Sequence, residues 1–262
     1  YKIGSFNLYK FSLQSDNNIR KNLEKISRII RDENLDVVAI QEIFNKNALD
    51  SLLAELNTEL WDGRWDSPNS RSVSAAEGYA FIWNKKRLGL VKNRNEKVFE
   101  PRILNQYKVD KAFGQKQLIR NPYYIRLTPA GRPGGTFAEI RLINTHIMFS
   151  KNREENESDN HDFSDLGAIS MRRNEFDILS KVIYPKYSDK TYDLINGERD
   201  AHCMPVYTIM LGDYNLSLKN STARDSFLRA DEEIVELKDQ GKRIVTVQSD
   251  LTTLKAKKEG VS

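Results

Sequence analysis

The 262-residue chain has a single cysteine, Cys203, so it can close no intrachain disulfide and no stapled fold is available to it. Cys203, although next to His202, is read as a small buried apolar residue. No run of about 18 apolar residues occurs, so no helical membrane span is expected, and no secretory leader is visible. The sequence opens at Tyr1 rather than Met; the cytoplasm is the default compartment, with secretion open if a leader has been removed. Also missing are a proline-rich linker, an internal repeat and any long block of like charge. Apolar residues make up 39%, and the 30% that are charged are mixed along the chain, a combination that speaks against disorder. The net charge of +4 suits a polyanionic partner and equally an ordinary solvated surface.

Short strand-like runs alternating with amphipathic helices fill the length. Residues 2–8 alternate as a first strand. Ile19, Leu23, Ile26 and Ile30 recur at helical spacing, and Leu49, Leu52, Leu53 and Leu56 mark a second helix. Between them Val37 to Ile40 is continuously apolar, as in a strand covered on both faces. Tyr79 to Trp83 reads as a strand ended by the basic turn Asn84 to Arg87, and 123–127 with 136–145 as a hairpin turned by the Pro/Gly-rich residues 128–135. A polar, acidic loop over 150–165, a helix over about 166–183, a loop over about 185–204, a strand from Val206 to Leu211 and a last strand at 244–248 complete the chain. This mix predicts one α/β sandwich domain over residues 1–262.

Several strands end in the same kind of residue: Asn7, then Gln41-Glu42, then Asn144-Thr145-His146, then Gly212-Asp213-Tyr214-Asn215. Strands that finish on one side of a sheet gather such groups into one cleft. Glu42 and Asn7 offer the hard oxygens that Mg²⁺ or Mn²⁺ prefers. Asp213 and Asn215, two apart, point the same way in extended backbone, and Gly212 lets the chain pass close to a ligand. His146 can donate a proton or act as a neutral polariser near pH 7. Singly, each is an ordinary turn-former or structural histidine; the set is what points to chemistry.

In this order Ser5-Phe6-Asn7, Ile40-Gln41-Glu42, Asn144-Thr145-His146 and Gly212-Asp213-Tyr214-Asn215 resemble the S-x-N, Q-E, x-x-H and G-D-x-N motifs of the endonuclease/exonuclease/phosphatase superfamily. Two further segments resemble its deoxyribonuclease-I-like branch. Glu77-Gly78-Tyr79 matches a Glu that hydrogen-bonds the histidine, and Arg120-Asn121-Pro122 matches an Arg-Glu-Pro whose Arg contacts phosphate, with Asn at the middle position. The resemblance implies an α+β, four-layer α/β sandwich: two packed mixed β-sheets flanked by helices. It implies a divalent metal, Mg²⁺ or Mn²⁺, on Glu42 and Asn7, with Asp213 and Asn215 orienting phosphate and water. His146, aligned by Glu77, would act at the phosphate, and Arg120 would bind it. The expected activity is phosphodiester hydrolysis by a monomer, with DNA as substrate.

The family closes with a further Asp and a Ser-Asp-His motif. Here the histidines are His146, His161 and His202, and Ser249-Asp250 is followed by Leu251. The sequence is therefore read as lacking that final segment, roughly 40–60 residues of a domain of ordinary size, and as weak or inactive alone. A phosphatase or lipid phosphodiesterase of the same superfamily, and a non-catalytic binding module, are the alternatives. Tyr9-Lys10 and Lys85-Lys86-Arg87 are the segments singled out for contact with a nucleic acid.

Overall fold

Residues Val37–Ile43 (β2) are buried along their whole length, as a strand with apolar side chains at both parities must be, and the fold is organised around them. The computed structural model describes residues 1–12, 22–68, 77–92, 95–105, 118, 120–131, 138–147, 175–188 and 205–215. Outside them lie Ile19, the turn residues 132–135, the 150–165 loop, the first part of the 166–183 helix, His161, His202, Cys203, the 244–248 strand and Ser249-Asp250. The one-domain expectation for 1–262 also extends beyond them.

Ile3–Phe11 (β1) runs parallel to β2 on one side, and Gly78–Asn84 (β4) pairs antiparallel on the other. Trp61–Asp66 (β3) adds to β4, giving the order β1-β2-β4-β3. In the second sheet Tyr123–Pro129 (β7) and Glu139–His146 (β8) form the expected antiparallel hairpin. Val206–Asp213 (β9) lies parallel to β8, and Leu88–Leu90 (β5) and Arg102–Ile103 (β6) both pair with β7.

Side-chain parity divides the core into layers. Val37 and Ala39 of β2, with Tyr79, Phe81 and Trp83 of β4, pack against Tyr123, Ile125, Leu127, Ile140 and Leu142 of the second sheet. The opposite parity, Val38, Ile40, Ala80 and Ile82, packs under Leu23–Asp32 (α1) and Lys46–Leu56 (α2) through Ile30, Leu49, Leu52 and Leu56. Both helices start on asparagine caps: the Asn22 and Asn45 side chains accept from the Lys25 and Ala48 amides at 2.9 Å each. On the outer face of the second sheet, a π-helical segment Ile178–Ile183 leads into Tyr184–Ser188 (α3). Arg141 donates to the Tyr187 carbonyl at 2.7 Å, and the Tyr187 and Tyr124 rings meet at 4.5 Å. The result is the α/β/β/α sandwich of two mixed sheets.

The elements differ from expectation in places. Helix continues to Ser188 where a loop from about 185 was expected; Pro185 sits at the start of α3, where a missing N–H costs little. The strands β3, β5 and β6 were not anticipated. Trp61-Asp62-Gly63-Arg64-Trp65-Asp66 hides its strand character behind an Asp62–Arg64 ion pair of 2.8 Å on a half-buried edge.

Candidate active site

Strand direction explains why some site residues end their strands and others precede theirs. β1, β2, β8 and β9 run toward the same end of the sandwich, so Asn7, Glu42, His146 and Asp213 arrive there last. β4 and β7 run the other way, so Glu77 and Arg120, just ahead of them, arrive first. At this end the inter-sheet layer changes from apolar to polar.

Glu42 is turned into the cleft by bulges on both sides. Asn7 pairs with Gln41 and Phe11 with Ile43, so β1 sets Leu8, Tyr9 and Lys10 against Glu42 alone. Across the other edge, Gln41 pairs with Tyr79 and Ile43 with Gly78, leaving Glu42 without a partner on β4. Glu42, Tyr9 and Lys10 take φ of 59°, 39° and 52°, left-handed values that cost side-chain-bearing residues about 1 kcal/mol or more each. Site contacts hold this strain in place. The Lys10 amide donates to Glu42 Oε2 at 3.0 Å, and the Tyr9 amide to Asn7 Oδ1 at 2.9 Å.

Asn7 joins two carboxylates. Its Nδ2 donates to Glu42 Oε1 at 2.8 Å and to Asp213 Oδ2 at 2.9 Å. Asp213 Oδ1 accepts the Asn215 amide at 3.0 Å, closing a tight turn, and Asn215 Nδ2 donates to the Ile147 carbonyl at 2.7 Å. Thus the Asn215 side-chain Nδ2 ties the β9 end to the β8 end. Gly212, at φ 145°, is required there: a β-carbon would overlap the Thr145 carbonyl.

His146 is buried, 5% exposed. Arg120 Nη1 lies 3.2 Å from its Nδ1. A guanidinium only donates, so Nδ1 accepts and a neutral His146 carries its proton on Nε2. That nitrogen is 3.8 Å from Glu42 Oε1. The resemblance puts a Glu on this ring; here Glu77 Oε1 stays 3.8 Å from Nδ1 and forms an ion pair with Arg120, which makes the hydrogen bond instead. Burial, and then the Arg120 charge, push the His146 pKa down to about 4, against the pull of Asp213 and Glu42. Burial raises the Glu77 pKa, opposed by Arg120.

All seven residues singled out from the sequence are thus linked by contacts at one end of the sandwich. Three others carry structural weight: Gln41 and Asn144, which stood in the strand-end set without an assigned role, and Tyr79. Gln41 Nε2 donates to Asn144 Oδ1 at 2.6 Å, Asn144 Nδ2 donates to the Ile40 carbonyl at 3.0 Å, and the Tyr79 hydroxyl accepts the His146 amide at 3.0 Å. Their signal was parity: Gln41 and Asn144 continue rows that are apolar until the final step.

Two donor sets could hold a cation. Ligand atoms of Glu42, Glu77 and His146 lie within 4.8 Å of one another. The sequence pointed instead to Glu42 with Asn7. Glu42 belongs to both. Because Arg120 already contacts Glu77 and His146 Nδ1, a second cation on that side would face its charge. The Glu42–Asp213 side, bridged by amide hydrogens of Asn7, is the better fit for a hard cation.

No family model matches the chain, and no curated protein matches it. Solved structures do match, two of them named for the endonuclease/exonuclease/phosphatase family. One such protein from Bacteroides thetaiotaomicron is 12% identical with a TM-score of 0.47, over 86% of this chain and 66% of that one. A mannosyl-6-phosphatase from Bacteroides thetaiotaomicron VPI-5482 is 13% identical with a TM-score of 0.48, over 86% of this chain and 69% of that one. D. rerio TDP2, solved with a single-strand DNA product, is 13% identical with a TM-score of 0.47, over 92% and 64%. The chain therefore spans about two thirds of their length. Among its described residues, no helix is long and apolar enough to cross a membrane.

Proposed function

We propose that the chain is a divalent-metal-dependent phosphodiester hydrolase of the endonuclease/exonuclease/phosphatase superfamily, deoxyribonuclease-I-like, with DNA as substrate. The observation that carries this reading is the linked set Glu42–Asn7–Asp213 beside His146–Arg120–Glu77 at one end of the inter-sheet layer. Three carboxylates against the Arg120 guanidinium and the Lys10 ammonium still leave an excess of negative charge, a setting that favours a cation.

Glu42 and Asn7 would hold Mg²⁺ or Mn²⁺; Asn7 would coordinate through one lone pair of Oδ1 and keep the Tyr9 amide on the other. When bound, such an ion polarises a phosphoryl oxygen and offsets charge developing in the transition state. Arg120, held by Glu77, presents a guanidinium to the incoming phosphate. His146, kept neutral with its proton on Nε2, donates to a phosphoryl oxygen. Asp213, fixed by Asn7 and by the Asn215 turn, orients the attacking water and accepts its proton. Water oxygen bonds to phosphorus as its proton passes to Asp213, the ester P–O bond breaks, and the leaving oxygen takes a proton from solvent.

The test is a substrate panel for the full-length protein: plasmid, single-stranded DNA, RNA, a phosphoinositide and a sugar phosphate, each with Mg²⁺ or Mn²⁺ and with chelator. Cleavage of DNA that stops on chelation is expected. Turnover restricted to the lipid or sugar phosphate would remove DNA from the reading, and activity indifferent to strong chelation would remove the metal.

A further inference from the structure

The bulge that aims Glu42 leaves a feature the hydrolysis does not use. Tyr9 and Lys10 are consecutive left-handed residues, and neither is the glycine or asparagine that such a backbone favours. Their backbone is fully engaged, with the Tyr9 amide on Asn7 and the Lys10 amide on Glu42. Holding those amides needs no particular side chain. Yet the pair carries an aromatic ring, 44% exposed, with an ammonium 5.7 Å from its centroid, at the lip of the cleft and two residues from Asn7.

We propose that Tyr9 and Lys10 form the binding lip for the nucleotide beside the scissile phosphate, with Tyr9 stacking on its base and Lys10 contacting the adjoining phosphate. The proposal rests on the nucleic-acid reading above and narrows it. An exposed ring stacks on a base only if one face of that base is open, and in a duplex both faces are covered by neighbouring pairs. The preferred substrate at this position is therefore an unpaired nucleotide: a single strand, a frayed end or a bulge. Rigidity makes the lip effective. Two pinned amides fix the backbone that carries the ring before substrate arrives, so no backbone ordering entropy is lost there on binding.

The experiment measures KM and kcat of the full-length protein on a labelled single-stranded oligonucleotide. The same oligonucleotide is also tested with abasic residues flanking the cleavage site. Tyr9→Ala keeps the backbone amide and should raise KM roughly ten- to hundredfold with little change in kcat, the scale of one base stacked on an aromatic ring. Tyr9→Phe should restore wild-type KM. Abasic flanks should weaken the wild type by a similar factor and leave Tyr9→Ala unchanged. Lys10→Gln should lower the slope of log KM against log salt by about 0.7, the value for one phosphate contact on a single strand. Wild-type cleavage with KM unmoved by Tyr9→Ala, or an equal loss on normal and abasic strands, overturns the lip alone. A wild type that cleaves no oligonucleotide with either metal overturns the nucleic-acid reading and the lip with it.

Discussion

Gln41 Nε2 donates to Asn144 Oδ1 at 2.6 Å, joining the two sheets at the polar end of their shared core, where both residues are almost wholly buried. One is adjacent to Glu42 and the other two residues from His146, so this bond sets the spacing between the two halves of the site.

Asn144→Ala would remove the shortest partner of Gln41 Nε2 and the side-chain donor to the Ile40 carbonyl. The expected cost is about 2 kcal/mol, the usual penalty for buried polar groups left unmatched, read as a lower urea midpoint. Activity should fall beyond what the unfolded fraction explains. Wild-type stability in this variant would show that the bridge does not hold the sheets in register.

In the full-length protein Glu42→Ala and His146→Ala should each reduce turnover by roughly 10²- to 10⁴-fold, the scale for a charge stabiliser or proton-transfer group, with unchanged circular dichroism. In the wild type Mg²⁺ should raise the melting temperature, because an ion that binds only the folded state stabilises it. Glu42→Ala should lose that rise. A full metal-induced shift in Glu42→Ala would place the cation elsewhere.

Gly212→Ala introduces a methyl group where the Thr145 carbonyl already sits, at a φ of 145° that a side chain disfavours. The β8–β9 pairing must give way at the site, with an expected loss of about 3 kcal/mol or more. A calorimetric scan showing an unchanged transition would mean that the Gly212–Asn215 turn relaxes without penalty.

His146 gives the metal-free protein a pH dependence of definite sign. Its pKa is about 4 when folded against 6.5 ordinarily, so between these values the unfolded chain takes up a proton that the native state refuses. Stability from this residue is present above pH 6.5, falls through the window and is gone below about pH 4. The raised Glu77 pKa acts in the opposite direction, so the useful quantity is the difference between wild type and His146→Gln. In chelator, that difference in urea midpoint should shrink as pH falls from 6.5 to 4, a loss on the order of 2–3 kcal/mol. A constant difference would rule out burial of a neutral imidazole.

Much was legible before any coordinates. The Val37–Ile40 run is apolar at both parities, and only a doubly covered strand satisfies that. The hairpin announced itself through the turn residues between its arms. Asn7, Glu42, His146 and Asp213 could be grouped because each closes a strand, whereas Glu77 and Arg120 entered only through the resemblance to the deoxyribonuclease-I-like branch. The edge strands β3 and β5 and the two-residue β6 left little mark, since half-exposed or very short strands need no strong apolar alternation.

The order of polar and apolar residues was enough to specify an α/β sandwich whose strands end in polar groups, because burial energetics act on local composition and parity; the division into two packed sheets came from the resemblance. Orientation of those groups was a separate matter. The double bulge around Glu42 arises from competition between two neighbouring registers, and the Arg120 hydrogen bond to His146 spans 26 positions. Neither leaves a local pattern to read. Both depend on distances between strands, which exist only once the sheets have packed.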